Sequence, residues 1–502
     1  MRLVARNFSP KKNIDSLIAA ALGFFIILLF ARHGGIGISP DSVTYLSVAR
    51  SINTGKGLIE FDEMPFVDFP AFYPIFLGAI SFITRIDIVV FAPVLNGLLF
   101  AILLYLSGSI MNGFSFSSKW YKRILLSCFV FSPCLLEIYS MLWSETLFML
   151  LLLFFIMAAR RYLNTHKLSS LFVLSVIVAI SCVTRYAGVV LVGTGGMLLI
   201  LDSGLRFKTR MRNLLLFTII SISLLAINLT RNLMISGFAA GQRQKGTTPL
   251  LDNIYFFGGV LSDWFPLANN NPVAFISVLV CIGVCITIFL IFLRNRARYS
   301  SYENIAAAFC IAYSFFMLIS ATFSRYEQFS SRLLSPLFIP LLWCLSSWFP
   351  PFVNKFGTLK RSGLVILSLL LVSFFQNYQL AADYETYDGV KDAGIPGYTE
   401  DPFPQSDIVT FIKNNQAFFK SNFTVYSNAA DAFYFYSGRS AHLLPQYALP
   451  MDVLNFYRED QQYIVWFNDI ENSDVLTMKD IISHKKLTLI KQFNEGAIYI
   501  CE

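Results

Sequence analysis

The sequence predicts an all-α polytopic membrane protein of about 11 transmembrane helices, carrying a small C-terminal α/β domain. Composition is the first ground. Of 502 residues 55% are hydrophobic, only 14% are charged and 50 are Phe, more apolar surface than a soluble domain can hide. The second is pattern, since apolar runs of about 15–25 residues recur along most of the chain. The third is a shift after residue 376, where the chain turns polar and mixed in charge. The net charge of +8 comes from small basic clusters between apolar runs. Clusters placed that way report topology, and no nucleic-acid-binding face is expected.

The basic N-terminus, "MRLVARNFSPKKN", precedes the first run at 14–31. That run is long for a signal-peptide core, and "ARHGG" is a poor cleavage site, so it reads as a retained span. The other runs lie near 88–111, 124–138, 145–159, 168–183, 187–201, 213–230, 273–293, 305–323, 333–349 and 362–376. A twelfth candidate, Pro70–Ile83, is short and interrupted by Pro74. Counting it would reverse everything downstream, so charge decides. Without it, the inner segments 1–13, 112–123, 160–167, 202–212, 294–304 and 351–361 carry twenty of the 39 Lys and Arg. The positive-inside rule therefore favours eleven spans, with 70–83 re-entrant or on the surface. The N-terminus is then cytoplasmic and the C-terminus extracytoplasmic. The large outer segments are 32–87, 231–272 and the tail.

The predicted domains are 1–376, the membrane domain, and 377–502, the α/β domain. In the tail, helical patterns ("DIVTFIKNNQAFFK", "SDVLTMKDIISHKK") alternate with β-rich runs ("FTVYSN", "QQYIVWFN", "LTLIKQF", "GAIYICE"),. No internal repeat is visible. Seven of the eight cysteines fall in or beside apolar runs. Cys281 and Cys285 share a helix face, and two thiols without a further ligand read as packing.

The chemistry-bearing residues cluster at the expected outer ends of spans. Asp41 follows Pro40 at the head of "VTYLSVARSI", an amphipathic pattern with Val43, Leu46, Val48 and Ile52 on its apolar side, expected to lie in the interface. Ser39 or Asp41 could cap it. Glu145 opens the fourth run in "SETLFML", with Glu137 two turns earlier. A carboxylate so close to hydrocarbon is costly, and its default reading is functional. "TRYAGVV" puts Arg185 and Tyr186 in a tight outer turn; "SRYEQFSSRLL" puts Arg325, Tyr326 and Arg332 in another. Anchoring at the interface explains such residues as readily as function does. Functionally, guanidinium forks bind phosphate and steady it as a leaving group.

Taken in order, "SPDSVTYLSVARSI", "FPAFYPIFLGAI", "SETLFMLLLLFF", "TRYAGVVL" and "SRLLSPLFIPLL" resemble the C-type (GT-C) membrane glycosyltransferases. The nearest groups are the protein O-mannosyltransferase and aminoarabinose-transferase-like enzymes. The resemblance runs over roughly residues 14–349, and its short motifs identify a superfamily, not a substrate. It implies transfer of a monosaccharide, hexosyl or pentosyl, from a polyprenyl phosphate to an acceptor outside the cytoplasm, in what would be a bacterial plasma membrane. By it, Asp41 matches the acid that activates the acceptor and Glu145 the second acid. A divalent metal, where the family uses one, would fall to Asp41 and Glu145. Many relatives carry two adjacent acids in the first motif, whereas this chain has Asp41-Ser42, which bears on the metal more than on the base. The expected partners are the lipid-linked donor, membrane lipids and an acceptor that is a protein, glycan or lipid. A lipid-linked glycan polymerase or ligase is the alternative. A transporter or flippase would need charge at mid-bilayer, yet all 39 Lys and Arg fall outside the runs.

Overall fold

Each predicted apolar run is helical in the structure, the run at 124–138 as two helices, in a computed structural model that describes residues 13–115, 118–241, 244–325 and 327–501. In chain order the helices are α1 (Ile14–Phe30), α2 (Pro40–Asn53), α3 (Phe72–Thr84), α4 (Ile88–Met111), α5 (Lys119–Val130), α6 (Pro133–Ser140), α7 (Glu145–Thr165) and α8 (Leu168–Thr184). A 3₁₀ turn, Tyr186–Gly188, leads into α9 (Val189–Leu201). Then come α10 (Phe207–Ser236), α11 (Leu250–Trp264), α12 (Asn271–Arg294), α13 (Tyr302–Phe323), α14 (Ser331–Ser346), α15 (Phe349–Val353) and α16 (Thr358–Ala393).

Among the described residues seven helices are long and apolar enough to cross a membrane, and the pair α5–α6, bent by 50°, makes up to eight. The runs at 14–31, 168–183 and 187–201 are shorter apolar helices. Helix α3 has 13 residues, about 20 Å of rise, against a hydrocarbon core of about 30 Å. Helix α16 continues through residue 376 to Ala393.

The chain forms two compact units. The first comprises Met1–Phe30, Val67–Tyr73 and Pro93–Gly389. In it α8 packs along α10 and α7, while α12, α13 and α14 pack in succession. Trp343 on α14, fully buried, meets Phe114 and Phe129 edge-on with centroids 5.7 and 6.5 Å apart. The break between α6 and α7 matters for the site. Pro133 starts α6, Ser132 caps it, and Met141 leaves it in extended conformation. Buried Asn96 on α4 donates to the carbonyls of Tyr139 (2.9 Å) and Met141 (2.8 Å). Tyr139 in turn donates to the Thr146 carbonyl at 3.0 Å. Backbone groups freed by the break are thereby satisfied inside an apolar bundle, and Trp143, Ser144 and Glu145 are held in one place.

The second unit comprises Ala31–Phe66, Pro74–Ala92 and Val390–Glu502. Its sheet has β1 (Thr424–Ser427), β2 (His442–Leu443), β3 (Gln462–Phe467), β4 (Thr488–Gln492) and β5 (Gly496–Cys501), ordered β2-β1-β3-β5-β4. Strand β1 runs parallel to β2 and β3, whereas β5 is antiparallel to β3 and β4. The helices are α17 (Asp407–Asn414), α18 (Ala430–Ser437), α19 (Pro450–Arg458) and α20 (Met478–His484). The four predicted β-runs are thus β1, β3, β4 and β5; the two-residue β2 is too short to read. Central strands β3 and β5 are almost wholly buried. One apolar cluster joins Leu444, Phe456, Ile464, Val475, Leu476 and Ile481.

Candidate functional site

In the first unit, Glu145 is the first residue of α7 and is fully buried. Its Oε1 accepts from Arg185 Nη1 at 2.6 Å and from Arg332 Nε at 2.7 Å. Arg185 Nη1 also donates to Ser144 Oγ at 2.9 Å. The Arg332 guanidinium lies over the Trp143 ring, 4.3 Å from its centroid, a cation–π contact that gains strength away from water. Both arginines keep partial access, with side chains 17% and 16% exposed.

Local structure explains why these groups converge. Arg185 ends α8 in extended conformation, its N–H donating to the Ser181 carbonyl at 3.1 Å. Arg332 lies in the first turn of α14, which packs on both α6 and α7. Two guanidiniums therefore share one carboxylate oxygen. Glu137 on α6, exposed between buried neighbours, is an electrostatic neighbour of Arg332.

The predicted site residues fare differently. The structure brings Glu145, Arg185 and Arg332 together. Tyr186 opens the 3₁₀ turn beside Arg185. Arg325 is exposed, and it donates from backbone and side chain to Gln244. It is not among the residues that bind Glu145. Tyr326 lies outside the described residues. As a metal ligand Glu145 is ill-suited, because two guanidiniums already occupy its carboxylate and oppose any cation there.

Asp41 belongs to the second unit, in the first turn of α2. Ser39, not Asp41, caps the helix: a capping box links Ser39 and Ser42, and Pro40 occupies the first position,. The carboxylate is therefore not consumed as the cap. An amphipathic interface helix was expected, yet every residue from Ser42 to Ala49 is buried. Its hydroxyls turn back on their own backbone, Ser47 Oγ donating to the Thr44 carbonyl at 2.9 Å, which lowers the cost of burying the polar side. Arg50 pairs with Asp87 at 2.8 Å. Of the nearby loop acids, Asp62 accepts from the Met64 N–H at 2.9 Å as a turn residue.

Asp431 and Tyr398 were not singled out from sequence. Helix α18, which packs on α2, carries Asp431 in its first turn. Tyr398 donates to Asp431 Oδ2 at 2.6 Å. The segment bearing Tyr398 is tied to the loop ahead of Asp41: Tyr398 N–H donates to the Ile38 carbonyl at 2.8 Å, and Thr399 Oγ1 to the Ile36 carbonyl at 3.0 Å. Burial pushes the Asp431 carboxyl above the usual range; the Tyr398 hydrogen bond opposes this, and the Asp41 charge adds to it. The two carboxylates are electrostatic neighbours. Only the first-turn position of Asp431 was visible in sequence, and helix-dipole stabilisation explains that alone.

No protein-family model matches the sequence, and no curated protein matches it. Among solved structures the chain is similar to ArnT from Cupriavidus metallidurans bound to undecaprenyl phosphate, with TM-score 0.59, 12% identity and 98% of each chain covered. The apo state of that protein gives TM-score 0.58 at 12% identity over 96% of each chain. The archaeal oligosaccharyltransferase AglB from Archaeoglobus fulgidus, in complex with an inhibitory peptide and a dolichol-phosphate, gives TM-score 0.51 at 12% identity. That match covers 92% of this chain and 70% of the other. The likeness is one of fold. The chain shares the overall architecture of these solved structures.

Proposed function

We propose that this protein is an integral membrane glycosyltransferase that moves a monosaccharide from a polyprenyl-phosphate donor to an acceptor on the extracytoplasmic face. The observation that carries this reading is the buried Glu145 carboxylate shared by Arg185 and Arg332. Preorganised guanidiniums suit phosphate, and partial exposure leaves them reachable. Two of the similar structures are complexes with undecaprenyl phosphate and with a dolichol-phosphate, which supports the choice of lipid phosphate.

In the proposed reaction Asp41 accepts the proton of the acceptor hydroxyl as its oxygen attacks the anomeric carbon. The carbon–oxygen bond to phosphate breaks, and Arg332 and Arg185 hold the departing polyprenyl phosphate. The anomeric configuration inverts. Glu145 orients the two guanidiniums and does not itself take the proton. Asp431 and Tyr398 position Asp41. Titration of the purified protein with undecaprenyl phosphate, against uncharged polyprenol of equal length, tests the donor assignment. Saturable binding of the phosphate alone is expected, weakened by Arg332→Ala; equal binding of both lipids would overturn it.

A further inference from the structure

Three cysteines outside this site converge on one point. Cys285 on α12, Cys310 on α13 and Cys344 on α14 are all buried, and their sulfurs lie within 4.8 Å of one another. The sequence pairs Cys285 with Cys281 one turn away; the fold instead joins it to thiols from two other helices. Among the described residues no His, Asp or Glu shares the cluster. We propose that it is a binding site for a soft monovalent cation of the copper(I) type.

The geometry fits. A metal about 2.3 Å from each of three sulfurs in a trigonal array sets them about 4.0 Å apart, within the observed limit. Thiolate sulfur selects soft ions. Structural zinc takes four ligands, and this site offers three, all sulfur. Binding exchanges protons for metal: each coordinating thiol loses its proton to the buffer as its Cu–S bond forms. Copper enters and stays as copper(I), so no oxidant or reductant is consumed. Glu303 lies two turns before Cys310 on α13 and is an electrostatic neighbour of Cys344. Its Oε1 accepts from Ser115 N–H at 2.8 Å, while buried Oε2 has no hydrogen-bond partner among the described residues.

The placement gives the site a structural use. Helix α14 contains Pro336 and Pro340 between Arg332 and Cys344. Each proline removes a backbone hydrogen bond and weakens the helix. A metal on Cys344 ties the far end of α14 to α12 and α13, about 18 Å along the axis from Arg332.

The test is anaerobic titration of the full-length, reduced protein in detergent with copper(I) against a chromogenic chelator, with X-ray absorption on the loaded protein. One copper per chain held by three sulfurs at about 2.3 Å is expected. Cys310→Ser and, as a second variant, Cys344→Ala should weaken retention more than the 10–100-fold that losing an outer partner typically costs. Copper retained equally by both variants would overturn the proposal. So would nitrogen or oxygen neighbours in the absorption spectrum, or a disulfide among the three in protein purified without reductant. The absorption measurement on the unaltered protein decides even if a variant fails to fold.

Discussion

Arg332 and Glu145, 187 residues apart in the chain, meet with Nε 2.7 Å from Oε1, and Arg185 closes on the same oxygen at 2.6 Å. The carboxylate is fully buried while the guanidiniums are partly exposed, so the partners are unequal. Removing the acid takes a shared acceptor from two cations at once. Removing one arginine leaves the acid a partner.

Glu145→Gln should therefore destabilise the protein by about 3–5 kcal/mol, the cost typical of breaking a buried pair from one side. Arg332→Ala should cost clearly less, because Arg185 still neutralises the carboxylate. Thermal unfolding of both variants in one detergent checks the order, and a larger shift for Arg332→Ala would contradict it.

Lysine at 332 keeps the charge but loses the planar fork and the stack on Trp143. Arg332→Lys should weaken donor binding measurably, and Arg332→Ala by roughly 1.5–3 kcal/mol. Arg325→Lys should change donor binding little, since Arg325 is exposed and bonded to Gln244. Donor titrations of the three variants separate the roles; equal effects at both positions would return Arg325 to the site.

These assignments mark what the sequence could convey. Hydropathy located the helices because burial in lipid demands continuous apolar runs, but it did not show that α16 continues past residue 376 to Ala393 or that the run at 124–138 is broken in two. The Glu145 cluster was legible only as residue types at span ends. Which arginine meets which acid depends on packing of α8 and α14 against α7, which a linear pattern does not encode. Arg325 and Arg332 share one turn in sequence, yet of the two Arg332 is the one that meets Glu145. Asp431 was invisible because its link to Asp41 runs through the packing of α18 on α2 and through Tyr398.

Asp431 supplies a pH-dependent check. Its folded value is raised above the unfolded one, so folding takes up a proton. The stability this contributes is present below the unfolded value, near 3.9, and is lost as pH rises through the folded value. Asp431→Asn should unfold at an equal or higher temperature at neutral pH, and its advantage should shrink as pH falls. Asp431→Leu should instead lose about 1–3 kcal/mol, because the Tyr398 hydroxyl loses its acceptor. Thermal scans from pH 4 to pH 8 test both; an Asn variant less stable at neutral pH would contradict the account.

The expected orientation has its own test. A thiol probe that cannot cross membranes should label Lys119→Cys only from the cytoplasmic side, and a tag after the C-terminus should react only from outside. Labelling of both from one side would reverse the assignment of the site to the extracytoplasmic face.

Turnover tests the central claim most directly. Purified protein, given a radiolabelled polyprenyl-phosphate sugar and membrane extract as the acceptor source, should release free polyprenyl phosphate and pass the label to acceptor. Asp41→Asn should lower that rate by about 10²–10⁴-fold while donor binding is retained. Near wild-type turnover in the Asn variant, or label leaving the donor without release of polyprenyl phosphate, would contradict the account.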